Sequence, residues 1–84
     1  MRITHQFPRP DENTELEITA TGRFYRNRVT GETKVYNEDG LAAFITEDDG
    51  EWTIESAWTG EHETHATYEE ARAVYDRWRE EDNR

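Results

Sequence analysis

The segment His62-Glu63-Thr64-His65 holds the residue types in this chain that are most suited to metal chemistry. Imidazole nitrogens and carboxylate oxygens are both ligands of Zn²⁺. However, the spacing differs from the His-Glu-x-x-His helix of metalloproteases. The segment is also extended in character, so that His62 and His65 would point to opposite faces of a strand. We therefore predict no metal site and no cofactor. A plainer interpretation is a pair of surface imidazoles beside carboxylates, which favour the protonated form.

The positions of the carboxylates argue against catalysis. Many of them lie in predicted turns, where solvent keeps them ionised and unable to act as general acids. The chain has no cysteine, and Ser56, its one serine, has no base evident in the neighbouring sequence. The acidic turns also lack the Asp-x-Asp-x-Asp-Gly loop, closed by a glutamate, that binds Ca²⁺. The sequence thus predicts a protein that is not an enzyme.

The acidic residues are concentrated in one stretch of the chain. The formal net charge is −10, and there is no Lys or Arg between Lys34 and Arg72. A concentrated negative field attracts basic surfaces and repels nucleic acid. We therefore expect a basic protein surface as the partner. The acids predicted to contact it are Glu38, Asp39, Glu47, Asp48, Asp49, Glu61 and Glu63.

Regular glycines indicate the elements that position these acids. Gly31, Gly40, Gly50 and Gly60 are nine or ten residues apart, and all four follow Asp or Thr in turn-like tetrads. Turn signals at this spacing, with short β-prone runs between them, are typical of an antiparallel meander. The strands predicted from the pattern span residues 2–7, 16–20, 23–29, 33–36, 41–46 and 51–58.

The C-terminal part of the chain predicts one helix. Thr67 and Glu70 have the spacing of a capping box. An apolar stripe follows at helical spacing, formed by Tyr68, Ala71, Val74, Tyr75 and Trp78. We expect the stripe to pack on the sheet face that carries Trp52, Ile54 and Trp58. The fold class is therefore α+β, a single domain over residues 1–84 with five or six short strands packed against one C-terminal helix.

The meander divides the acids into two groups, because alternate turns lie at opposite ends of a sheet. Glu47, Asp48, Asp49 and Glu51 would gather with Glu32 at one end. There, Arg28 and Lys34 flank the neighbouring turn and would partly neutralise them. The group at the other end has the fewest bases nearby in sequence, and it consists of Glu38, Asp39, Glu61 and Glu63.

Three functional hypotheses follow from these patterns. The first is a small acidic protein-binding module, such as a phage-type inhibitor that presents acidic turns to a nucleic-acid-binding surface of its partner. The second is a salt-adapted accessory domain whose acidity is not a binding site. The third is a single-stranded nucleic-acid binder that uses Arg23, Arg26 and Arg28, which alternate with aromatic residues; the charge of −10 argues against it.

The sequence also predicts where the protein resides. No apolar run approaches the length of about 20 residues that a membrane span needs. The N-terminal residues have no apolar core of the signal-peptide type. We therefore expect a cytoplasmic protein without membrane contact.

Overall fold

One antiparallel sheet and one helix make up the fold, as seen in a computed structural model that describes residues 7–82. The strands follow one another in the sheet in the order of the sequence. The predicted α+β meander with a C-terminal helix is therefore confirmed. The elements are β1 (Thr14–Ile18), β2 (Arg23–Asn27), β3 (Thr33–Asn37), β4 (Gly40–Asp48), β5 (Glu51–Ser56), β6 (His62–His65) and α1 (Tyr68–Asp82).

Several of the predicted strands differ from the structure in their bounds: β1 was predicted at residues 16–20, β2 to end at residue 29 and β4 to span residues 41–46. Residues 2–6 of the predicted first strand lie outside the described residues, and Phe7 is not in a strand. The sixth strand is instead β6, which pairs with β5. Strand β5 ends at Ser56 rather than at residue 58, because the Ser56 hydroxyl accepts hydrogen bonds from the backbone of Trp58 and Thr59 and turns the chain.

The β4–β5 hairpin closes with a two-residue loop. Asp49 and Gly50 have φ values of 55° and 82°. Two consecutive positive φ angles are typical of a type I′ turn, whose twist matches that of the flanking strands. The Gly50 amide also donates to Oε2 of Glu47 at 2.8 Å. The turn is therefore held by local interactions.

The β2–β3 and β5–β6 loops share one hydrogen-bond pattern. Oδ1 of Asn27 accepts from the amides two and three residues later, and Oγ of Ser56 does the same. In each loop the glycine amide then donates to the carbonyl of that first residue. The side chains at the matching positions, Val29 and Trp58, are 73% and 46% exposed. The pattern fixes both loops without using either of these side chains.

The core lies between α1 and one face of the sheet. Thr67 caps the helix through its Oγ1, which accepts from the Glu70 amide at 3.1 Å, as the capping box predicts. Trp52, Tyr68 and Trp78 pack at the margin of the core. Trp58 was predicted on the same sheet face, but it lies in the β5–β6 loop. The buried core consists of Phe24, Val35, Ala42, Ala43, Ile45, Ile54, Ala71, Val74 and Tyr75.

Tyr75 fixes the helix against the β1–β2 turn. Its hydroxyl donates to the Thr21 carbonyl at 2.6 Å and accepts from Nδ2 of Asn37 at 3.1 Å. Its ring meets that of Phe24 edge to face, with centroids 5.7 Å apart. A Cβ at Gly22 would lie 2.7 Å from the Tyr36 carbonyl oxygen and 2.9 Å from the Tyr75 hydroxyl. Glycine is required there because of this close approach.

We expect Gly22→Ala to destabilise the fold by about 1–3 kcal/mol, the usual cost of an overpacked site. Urea unfolding of Gly22→Ala, Tyr75→Phe and the double variant should show coupling, because the new methyl group meets the tyrosine hydroxyl. Gly31→Ala is the matched control, since its Cβ would meet nothing within 4 Å. Its cost should add to that of Tyr75→Phe. Full additivity in the Gly22 pair would contradict the proposed contact.

Thr33 has a buried hydroxyl that makes no hydrogen bond among residues 7–82. The residue is 0% exposed on the core side of β3. An unsatisfied buried polar group costs about 1–3 kcal/mol. We therefore expect Thr33→Val to raise the free energy of unfolding by about 1 kcal/mol in urea titrations. Thr53→Val is the control, because the Thr53 hydroxyl bonds to that of Thr64 at 2.9 Å and its loss should bring no such gain.

Candidate functional site

The two ends of the sheet carry different sets of turns. The β2–β3 and β4–β5 turns lie at one end, here named the Gly50 end, where α1 also begins. The β1–β2, β3–β4 and β5–β6 turns lie at the other, here named the Gly40 end, and α1 returns to it. The meander therefore separates the candidate acids into the two groups expected from the sequence, and the helix adds its own side chains to both.

At the Gly50 end, four exposed carboxylates surround one hairpin loop, and we name this group the acidic tip: Glu47, Asp48, Asp49 and Glu51. Asp48 and Glu51 are direct cross-strand partners. Among residues 7–82 none of the four carboxylates forms an ion pair. The tip is therefore a compact negative surface that no base of the described residues neutralises by direct pairing.

Arg28 and Lys34, which we expected to neutralise this end in part, form no ion pair with the acidic tip within residues 7–82. Nε of Arg28 lies 3.5 Å from Oε2 of Glu15, and its Nη1 donates to the Glu12 carbonyl at 2.8 Å. Lys34 is exposed on β3 and forms no ion pair within the described part of the chain. Arg28 is thus engaged by the N-terminal strand, which the sequence did not show to be its neighbour.

The acids at the Gly40 end have more basic neighbours than the sequence predicts. Nη2 of Arg79 donates to Oε2 of Glu38 at 2.8 Å, and this bond raises the pKa of Arg79. Arg77 forms an ion pair with Glu63. The expectation that this group has the fewest bases was therefore wrong, because α1 carries its arginines back to this end. Asp39 and Glu61 stay exposed and have no ion pair among residues 7–82.

The two histidines of β6 lie on opposite faces of the sheet. His62 is opposite Glu55, whereas His65 is opposite Trp52 on the helix side. Nε2 of His65 is 3.0 Å from Oε1 of Glu63. Within residues 7–82 no group of three His, Cys, Asp or Glu side chains is placed to hold a metal ion. The two histidines therefore do not share one coordination site, and His65 contacts Glu63, which also pairs with Arg77.

The three arginines of the nucleic-acid hypothesis do not form one surface. Arg23 lies over the ring of Phe7 at 4.0 Å on the face away from the helix. Arg26 lies on the helix side, with its guanidinium 4.7 Å from the ring centre of Tyr68. Arg28 lies in the β2–β3 turn and pairs with Glu15. These positions provide no continuous stacking platform.

An aromatic cleft at the Gly40 end was not predicted from the sequence. It lies between the β5–β6 loop and the last turns of α1 and has a volume of about 80 Å³. Trp58, Trp78 and Tyr75 supply its aromatic walls, and Glu61 and Glu81 line it with exposed carboxylates. We name these five residues the tryptophan cleft. The sequence did contain a signal for the position of Trp58. The tetrads Val-Thr-Gly-Glu (residues 29–32) and Trp-Thr-Gly-Glu (residues 58–61) differ only in their first residue, which indicates that Trp58 lies in a loop like that of Val29.

The geometry defines a small α+β domain with a one-sided meander and two surface features. Within residues 7–82 the helix is α1, and it is not long and apolar enough to cross a membrane. Comparison with known proteins finds no family model, no curated protein and no solved structure that matches the chain. Function must therefore be argued from the acidic tip and the tryptophan cleft themselves.

The pKa of Glu63 is lowered, first by its hydrogen bond to His65 and then by Arg77. The ionised form is thus favoured in the folded state, and the resulting stability is present above the unfolded carboxyl pKa of about 4.3. It is lost as the pH falls through the lower folded value. We expect Glu63→Gln to unfold at lower urea than the wild type at pH 7, and the difference to shrink at pH 3.

The control for this prediction is Glu61→Gln on the same hairpin, because Glu61 has no ion pair among residues 7–82. Its small effect should be similar at both pH values. A Glu63→Gln deficit that is equally large at pH 3 would show that the carboxylate charge is not its cause.

Proposed function

We propose that this protein is a non-enzymatic acidic binding module whose acidic tip contacts a basic surface on a protein partner. The observation that carries the proposal is the unpaired cross-strand arrangement of Asp48 and Glu51 at the tip. Like charges directly opposite each other in an antiparallel pair are destabilising. The two like charges therefore destabilise the hairpin slightly. The turn itself does not require them, because an acidic or a basic residue at either position would be compatible with it.

The other two carboxylates of the tip have local structural roles. Asp49 is suited to the first position of the type I′ turn, and Glu47 accepts the Gly50 amide. No comparable contact involves Asp48 or Glu51 within residues 7–82. Their charge is explained by an external cation more readily than by the turn, and a partner with clustered Lys and Arg supplies one.

A partner surface of this kind is typical of sites that bind nucleic acid, since those sites neutralise phosphates with Lys and Arg. A protein that occupies such a site would act as the phage-type inhibitor of the first hypothesis does, by blocking the nucleic-acid-binding surface of its partner. Electrostatic complementarity mainly raises the association rate and the salt sensitivity of a complex. The rigid two-residue turn contributes by holding the carboxylates in place before binding.

Salt adaptation is the second candidate, and the many exposed acids without ion pairs favour it. Its signature is different, because it requires molar salt for folding and no specific partner. Urea unfolding in dilute buffer and in molar KCl separates the two proposals. A chain that is folded without added salt supports the binding module, whereas a chain that folds only in molar KCl supports salt adaptation.

The direct test uses Asp48→Lys and Glu51→Lys. A partner is first captured from a lysate of the native host at low and high salt, identified, purified and used for titrations. Each substitution should weaken binding by about tenfold or more, the range found for close charge pairs across interfaces. Each should also raise the free energy of unfolding by about 0.2–1 kcal/mol, because the like-charge pair is relieved.

Glu55→Lys is the matched control. It changes the net charge by the same amount and lies exposed near the end of β5 that is away from the tip. Binding by this variant should stay close to that of the wild type. If all three variants bind alike, the tip is not the contact surface and the proposal fails.

A further inference from the structure

We propose that the tryptophan cleft receives one arginine side chain from the protein partner. The inference rests on the proposed function for the basic nature of that partner. It concerns a separate contact, however, because the cleft and the acidic tip lie at opposite ends of the sheet. Strand β4 has nine residues, which corresponds to about 30 Å of extended chain. The cleft and the tip are therefore testable independently.

The size of the cleft fits a single side chain. Its volume is about 80 Å³, whereas pockets for cofactors and drug-sized ligands occupy about 300–1,000 Å³. It also opens beside an exposed loop, so that a side chain projecting from another protein reaches it without a change in this fold. A protruding residue of a partner is thus a better match than a free small molecule.

The walls of the cleft favour a flat cation. Indole is the best of the aromatic rings for cation–π contacts, and guanidinium stacks on such rings. Trp58 and Trp78 supply two indoles, while the Tyr75 hydroxyl is already used in bonds to Thr21 and Asn37. The polar groups at the opening, Glu61 and Glu81, are exposed and negative. An arginine side chain can stack on the aromatic walls and also pair with the carboxylates.

Among residues 7–82 a single cation lines the cleft, and it is already paired with its own anion. Arg79 donates from Nη2 to Oε2 of Glu38 at 2.8 Å. The charge that an incoming guanidinium meets is therefore set mainly by Glu61 and Glu81, which form no ion pair within residues 7–82. The net charge of −10 over the whole chain also attracts a cation.

Trp58 is not required by the loop that carries it. The β2–β3 loop forms the same hydrogen bonds with Val29 at the matching position. Trp58 remains 46% exposed, so the core does not require it either. A large aromatic side chain in an exposed, locally fixed loop is typical of interface residues that contribute most to binding.

The experiment follows the indole N–H signals of Trp58 and Trp78 by NMR during titration with blocked tripeptides. Acetyl-Gly-Arg-Gly-amide should shift both signals in the millimolar range. The citrulline peptide, which has nearly the same shape without the charge, should bind about two- to thirty-fold more weakly, as expected for loss of a cation–π contact. Equal binding of the two peptides, or no shift with arginine, overturns the inference.

Variants of the protein complete the test. Trp58→Val copies the loop of Val29 and should remove arginine binding while the chain stays folded. Glu81→Gln should weaken binding, whereas Glu80→Gln, which neutralises the adjacent exposed residue outside the cleft, should not. Equal effects of these two glutamine variants would contradict a role for the cleft carboxylates.

The two proposals fail in different ways. Loss of capture in the Asp48→Lys and Glu51→Lys variants, together with no arginine binding at the cleft, would overturn the cleft inference and keep the proposed function. Arginine binding at the cleft, together with unchanged capture by those variants, would overturn the proposed function of the tip and support the cleft.

Discussion

The attachment of α1 through Tyr75 is the interaction on which the rest of the structure depends. A helix on one face of a sheet can slide or rotate unless a directional contact fixes it. The ring of Tyr75 contacts Phe24, and its hydroxyl bonds to Thr21 and Asn37. Burial raises the pKa of this hydroxyl, so it stays protonated and keeps its donor role. Hydrophobic packing supplies the stability, and these directional contacts fix the position of the helix.

The fixed helix determines how charge is distributed over the surface. Arg72 forms two hydrogen bonds with Glu17, Arg77 pairs with Glu63, and Arg79 pairs with Glu38. The helix therefore brings its bases to acids along the edges and at the Gly40 end. The acidic tip lies at the Gly50 end, and among residues 7–82 no base pairs with it. The excess of acids along one stretch of the sequence is thus partly neutralised by the helix at the Gly40 end and stays unpaired, among residues 7–82, at the acidic tip.

The parts predicted correctly from the sequence are those set by local interactions. Glycine-containing turns predicted the meander, and Thr67 with Glu70 predicted the start of α1. The ion pairs of Arg72 and Arg79 join residues 55 and 41 positions apart, so no local pattern could reveal them. The strand β6 was missed because its four residues, all polar, lack the apolar alternation that marks a half-buried strand.

Trp58 shows how a correct periodicity led to a wrong position. Trp52, Ile54, Ser56 and Trp58 alternate as a strand would, yet the Ser56 hydroxyl ends the strand by accepting two loop amides. The same arrangement around Asn27 places Val29 at an exposed position. Because backbone bonds and the first side chain hold both loops, the third position is free of folding constraints. We therefore attribute the tryptophan at position 58 to the cleft that its side chain forms beside Trp78.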